Sequence, residues 1–266
     1  MAQGAFSTYI LPMTHSLPAV FFGHGSPMNA LERNRYTEAW RAFGDSIPKP
    51  RGILMVSAHW LGEGTRVTAE ARPKTIYDFH GFPPALSAVT YAAPGSPEIA
   101  QEVAAAVGAA PDTTWGLDHG TWSVLVHAFP KADVPVLQLS LDARKSFAEH
   151  LELGARLAPL RDKGILIAAS GNVVHNLRRM NWQTPDAAFD WSQRFDEETK
   201  RLMTTTPGDV VKLAEHPDYA LAVPTPEHFL PLLYIAGMAK AAGKPAAVLV
   251  DGYAMGSLSM TSYTVS

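Results

Sequence analysis

Apolar positions along this chain follow two spacings. Short continuous apolar runs, bounded by glycine, proline or polar residues, fall at 19–23, 53–60, 134–140, 164–170 and 246–250. Runs without polar alternation predict strands buried on both faces. Between them the apolar residues recur at helical spacing near 28–43, 97–107, 143–157, 185–204 and 230–242. Ser26-Pro27 and Ser96-Pro97 each set a capping serine before a proline suited to the first helical position. This alternation predicts an α/β fold: a single domain with a central, largely parallel or mixed sheet flanked by helices. Residues 19–60 read as a β-α-β unit. Its two strands are expected to be parallel and, if adjacent, about 4.8 Å apart.

One stretch breaks the rhythm. Residues 65–93 contain Tyr77-Asp78-Phe79-His80-Gly81-Phe82-Pro83-Pro84, rich in aromatics and turn formers. It reads as a structured excursion, either stacking on a flat ligand ring or packing on the core. No repeat, charge block or linker divides the chain. The organisation expected is a loose leader over 1–16 and one catalytic domain over 17–266. The leader lacks the basic start and apolar core of a secretory signal, and Met13 offers a second possible start.

Composition narrows the chemistry. The chain has 266 residues, 47% of them hydrophobic, enough for a sizeable core. A formal charge of −3 gives no support for nucleic acid or an anionic membrane as partner, and no apolar run reaches membrane-spanning length. A cytoplasmic location fits. There is no cysteine, so disulfides, thiolate metal sites and a cysteine nucleophile are excluded, but there are 10 histidines.

Five histidines stand in site-like contexts. His24, in Gly23-His24-Gly25-Ser26-Pro27, and His59, in Ser57-Ala58-His59-Trp60, end apolar runs. The carboxyl ends of parallel strands are where open α/β sheets bind ligands. His119 lies in what reads as a glycine-bracketed loop, Gly116-Leu117-Asp118-His119-Gly120. His175 follows the 164–170 run, and His228 follows Pro224-Thr225-Pro226-Glu227. Neutral imidazoles suit zinc, copper, iron and nickel, and three protein ligands with open positions make a catalytic centre. No HExxH, GxSxG or P-loop pattern occurs.

Taken in order, these blocks resemble the DOPA-dioxygenase-type branch of the class III extradiol aromatic ring-opening dioxygenases, the superfamily of the protocatechuate 4,5-dioxygenase catalytic subunit. Tyr91-Ala92-Ala93-Pro94-Gly95, Gly171-Asn172, His175-Asn176-Leu177 and Gly256-Ser257-Leu258-Ser259-Met260 extend the match to the C-terminus. The resemblance implies a non-haem metal held by His24, His59 and His228, with His119 and His175 as the acid/base pair facing its open positions. In the wider superfamily the third ligand is a glutamate, so one of Glu227 and His228 should point in and the other away. The active enzyme is expected to use Fe(II) to cleave a catechol with O₂, inserting both oxygen atoms and giving a ring-opened semialdehyde. Relatives also occur with Zn(II), where a histidine like His175 completes the coordination as a fourth ligand.

Trp60, Tyr77, Phe79 and Phe82 are the candidates for the ring pocket. Asn172 is a candidate for orienting substrate or a histidine, and Asp118 either supports an imidazole or caps a loop. His80 stands where the family pattern leads one to expect an aromatic such as tyrosine. The alternatives are a zinc hydrolase using Glu227 as base and a non-catalytic metal-binding relative. The substrate's side chain and the oligomeric state are not legible in the sequence.

Overall fold

A computed structural model describes residues 16–266. The leader, apart from Ser16, and Met13 therefore lie outside the described residues. Eight strands form one sheet: β1 Ala19–Gly23, β2 Gly52–Gly62, β3 Arg66–Thr68, β4 Ala110–Asp112, β5 Val136–Asp142, β6 Ile165–Gly171, β7 Ala247–Val250 and β10 Ser262–Val265. Their order is β4-β3-β5-β2-β6-β1-β10-β7. A short hairpin, β8 Tyr253–Ala254 with β9 Leu258–Ser259, precedes the last strand. The four central strands, β5-β2-β6-β1, are parallel, while β10 runs antiparallel to β1 and makes the sheet mixed.

The helices are α1 Arg35–Ser46, α2 Pro84–Ser87, α3 Pro97–Val107, α4 His119–Ala128, α5 Phe147–Leu157, α6 Asp190–Thr205, α7 Tyr219–Ala222 and α8 Leu230–Ala242. They cover both faces of the sheet. Along β2, Leu54 and Val56 enter one core with residues of α3, α5 and α8, whereas Ile53 and Met55 enter the other with Trp40 of α1 and Trp122 of α4. Burial on both faces is why these strands read as unbroken apolar runs. Each such side chain contributes about 1.5–3 kcal/mol by leaving water.

Several boundaries differ from the sequence reading. The strands at 19–23 and 53–60 are not neighbours, because β6 pairs with both and lies between them. The 28–43 segment splits into a 3-10 turn, Pro27–Leu31, capped by Ser26, and α1, which starts afresh at Asn34. Asn34 accepts from Tyr36 and Thr37 and completes a capping box, a stronger start than Ser26 provides. The helix expected from residue 143 starts at Phe147, where Ser146 and Glu149 cap each other, and the one expected from 185 starts at Asp190. The excursion 65–93 contains β3 and α2, and its end feeds β5 through a bond from Val136 N–H to the Pro94 carbonyl.

Candidate active site

His24 leaves β1 where the chain turns, and Gly25 makes that turn at φ 60°, a conformation that favours glycine. The His24 ring is buried, and its Nδ1 lies 2.8 Å from the Ser170 hydroxyl. That hydroxyl donates to the Gly120 carbonyl at 2.5 Å, so it accepts from His24 Nδ1–H. The tautomer this selects leaves the Nε2 lone pair free. His59 sits on β2 beyond its paired stretch with β6, and a register shift on the β5 side lets it lean across. The two Nε2 atoms approach to 3.3 Å although a strand separates their parent strands.

Asp78, from the aromatic-rich excursion, joins two imidazoles. Oδ2 lies 3.2 Å from His59 Nδ1, and Oδ1 lies 3.0 Å from His119 Nδ1 and accepts the His119 backbone N–H at 3.0 Å. The His119 Nδ1 contact is close but off the hydrogen-bonding direction. His119 is not in a loop. It is the first residue of α4, and Asp118 is that helix's N-cap. The Asp118 carboxylate accepts from Ser57 at 2.7 Å and from Gln138 at 2.6 Å, so it caps the helix and ties it to the sheet without touching an imidazole.

His175 and His228 form the other wall. Their rings stack at 3.5 Å with planes 6° apart. Gly171 lacks a side chain where the His228 carbonyl packs against it, and the Asn172 N–H donates to that carbonyl at 2.9 Å. Of the Glu227-His228 pair, His228 faces the cavity. Glu227 lies behind it, 3.3 Å from His228 Nδ1, and accepts from the Thr225 hydroxyl. The five rings converge: His228 lies 5.3 Å from His24 and 5.0 Å from His59, and His119 lies 3.8 Å from His59, centroid to centroid. By donor atoms they form two sets, His24, His59 and His119 in one and His175, Glu227 and His228 in the other. Within each set the atoms lie within 4.8 Å of one another.

The electrostatics favour the neutral imidazole at four of the five rings. Burial and then the neighbouring rings hold His24 and His228 well below the usual histidine range. Burial brings His175 down to about 4 and also lowers His119. Burial opposes charge on His59 too, but the Asp78 and Asp118 carboxylates outweigh it and leave that ring raised. Asp78 stays well below the usual carboxylate range: against the cost of burial, its contacts with His119 and His59 prevail. Neutral rings with Nδ1 turned to Ser170, Asp78 or Glu227 are a donor set that fits a transition metal.

These rings floor a cavity of about 490 Å³, walled by Phe79, Phe82, Met180, Trp182 and Leu258. Of the residues expected to meet the substrate ring, Phe79 and Phe82 line it, as does His80. Trp60, Tyr77 and Asn172 do not. Trp60 is buried in a stack on Trp115 at 5.2 Å, and the Tyr77 hydroxyl donates to the Val89 carbonyl, holding the excursion closed. Asn172 is buried, accepting from Gly25 N–H and donating to the Ser259 carbonyl. It braces the His24 turn. Asp78, Ser170 and Trp182 join the site unforeseen. Asp78 lay within a block already singled out, next to two aromatics. Ser170 ended an apolar run, and Trp182 carried no local signal.

The comparisons with known proteins show the family and the fold. The family model described as the catalytic LigB subunit of aromatic ring-opening dioxygenase matches residues 10–265. A relative from Escherichia coli (strain K12), named 4,5-DOPA dioxygenase extradiol, is 46% identical over 264 residues, 96% of this chain and 97% of its own. One of the same name from Beta vulgaris is 37% identical, covering 91% of this chain and 94% of its own. The crystal structure of an uncharacterized protein from Escherichia coli K12 superposes with a TM-score of 0.82 at 43% identity, covering 94% of this chain and 100% of that one. Among the described residues no helix is long and apolar enough to cross a membrane. The chain belongs to the LigB family of aromatic ring-opening dioxygenases and is an extradiol ring-cleaving enzyme.

Proposed function

We propose that the protein is a non-haem Fe(II)-dependent dioxygenase that opens a catechol next to its diol, as the relatives' name, 4,5-DOPA dioxygenase, describes for them. The observation that carries the reading is the convergence of His24, His59 and His228 on one aromatic-walled cavity, with Ser170, Asp78 and Glu227 at their outer nitrogens. These three histidines would hold the metal. Fe(II) held there would supply Lewis acidity towards the catechol oxygens and the redox chemistry that lets both atoms of O₂ enter the ring-opened semialdehyde.

The protein's own groups handle protons and orientation. His119 is the base for the catechol hydroxyl, because the Asp78 carboxylate 3.0 Å from its Nδ1 stabilises the imidazolium that forms. His175, on the opposite wall, returns the proton as acid. Phe79 and Phe82, packed edge to face at 5.5 Å, present ring surface to the substrate. The hydrolytic reading named Glu227 as its base, and Glu227 does not line the cavity.

One observation favours a second ligand set. The donor atoms of His119, not those of His228, fall within 4.8 Å of both His24 and His59. Metal stoichiometry of His228→Ala against His119→Ala separates the two: the proposed set loses metal in the first and keeps it in the second.

The main test is reconstitution of metal-free protein with Fe(II) or Zn(II) under anaerobic conditions, then exposure to a catechol panel and O₂. Fe(II) should give O₂ uptake and a new visible absorbance, and Zn(II), which has no redox chemistry, should give neither. Equal turnover with both metals overturns the proposal.

A further inference from the structure

Asp196, on α6, is a fully buried carboxylate that lines no part of the cavity. Four donors converge on it: the hydroxyls of Ser259 at 2.6 Å, Thr261 at 3.1 Å and Tyr253 at 3.1 Å, and the Lys200 ammonium at 3.4 Å. A carboxyl group placed there needs a reason, because its burial is costly unless its oxygens are well satisfied. Three of its partners belong to the segment 253–261 that crosses under the site.

That strap touches the loops bearing three of the five histidines. The Ser259 carbonyl accepts from Asn172 Nδ2 at 2.7 Å, and Asn172 Oδ1 in turn accepts from the Gly25 N–H, next to His24. The Asn172 N–H holds the His228 carbonyl, the Ser259 N–H donates to the Val174 carbonyl at 3.0 Å, and Leu258 pairs with His175. Leu258 and Met260 of the strap are buried apolar contacts, while Ser259 and Thr261, on either side of Met260, turn their hydroxyls to Asp196.

We infer that Asp196 is a positioning residue of the site: by clamping the strap through Ser259 and Thr261, it sets the spacing of His24, His175 and His228. The inference rests on the proposed metal centre, but its test does not require ring cleavage. Asp196→Asn is nearly isosteric but removes the negative charge that faces the Lys200 ammonium, and its amide N–H replaces one acceptor oxygen, so a hydroxyl that donated must turn to accept. The charge-assisted clamp on the strap becomes a set of weaker neutral bonds.

The experiment titrates metal-free parent, Asp196→Asn, Ser259→Ala and Val210→Ala with Co(II), reading affinity and the visible ligand-field spectrum. It then measures kcat and KM of the Fe(II) forms. Val210→Ala is a core truncation between α6 and α8, which lowers stability without touching the strap. Asp196→Asn should bind Co(II) about 10–100-fold more weakly, with an altered spectrum, a kcat lower by a similar factor and KM nearly unchanged. Ser259→Ala, which removes one of four donors, should shift the same readouts in the same direction by less, and it carries the test if Asp196→Asn does not fold. Hydrogen exchange in the metal-free protein should quicken at 172–176 in both variants. If affinity, spectrum and exchange in both variants match those of Val210→Ala, Asp196 is only structural and the inference fails. A parent that binds Co(II) but cleaves no catechol would instead refute the ring-opening proposal and leave the Co(II) comparison standing.

Discussion

The floor and the mouth of the cavity are built differently. At the floor, His24 follows β1 and His59 rides on β2, each strand flanked on both sides, and the hydroxyl behind His24, Ser170, has no exposure at all. At the mouth, Leu177 is 58% exposed, Trp182 75% and Phe82 37%, and all three lie in connecting segments. Two of the proposed metal ligands, His24 and His59, are set by the rigid sheet, while the surface that meets variable parts of a substrate sits on loops. The contrast makes a quantitative claim: floor substitutions should act on metal and turnover, mouth substitutions on binding.

The largest effect tests the floor directly. His24→Ala and His59→Ala each remove a donor, one just past β1 and one on β2, so metal stoichiometry should fall to near zero and ring cleavage to background. Far-UV circular dichroism should stay at the parent level, because β1 and β2 still pack. Wild-type metal content in both variants breaks the assignment. One step from the metal, His119→Ala and His175→Ala should keep iron and lose about 10²–10⁴-fold in kcat/KM. Loss of metal in His175→Ala would make it a ligand.

Asp78→Asn sharpens the comparison, since this residue comes from the excursion yet serves the floor. An amide cannot stabilise an imidazolium on His119 or hold His59 as strongly as a carboxylate does. We expect a loss of about 10–100-fold in metal affinity or kcat. Parent-like values for both would make Asp78 part of the mouth.

What was legible in the sequence follows the same division. The buried strands and their terminal histidines were readable because burial on both faces leaves an unbroken apolar run, and the residue that ends the run is conspicuous. Strand order was not, since nothing local in 19–60 announces that β6 will insert between β1 and β2. The helix starting at His119 was signalled by Asp118 as a cap, but the flanking glycines read more strongly as loop. Strand β10 and the strap before it do alternate, Ser257-Leu258-Ser259-Met260-Thr261 and Ser262-Tyr263-Thr264-Val265, but they form no continuous apolar run, and the strap is held by Asp196, more than 50 residues away. Asp78 meets His119 across 41 residues, a pairing that only the fold creates. Trp60 and Tyr77 had the right chemistry for a pocket, but packing and backbone hydrogen bonds claimed them, and Asn172 braces the turns of His24 and His228 instead of lining the cavity.

The smallest expected effect belongs to Trp182. It lines both the metal-site cavity and an adjoining chamber that also touches Met28 and Tyr253, so it stands where a ring substituent would pass. With most of its surface in solvent, its removal costs the core nothing, and Trp182→Ala should leave stability within about 0.5 kcal/mol of the parent. Its large flat face loses contact area with a bound substituent, so KM for a catechol bearing a side chain should rise several-fold. For unsubstituted catechol KM should barely move, and kcat should hold for both. Such a pattern is loss of binding shared equally by ground and transition states. A fall in kcat on unsubstituted catechol, with KM unchanged, would place this exposed tryptophan in the chemistry and dissolve the division between floor and mouth.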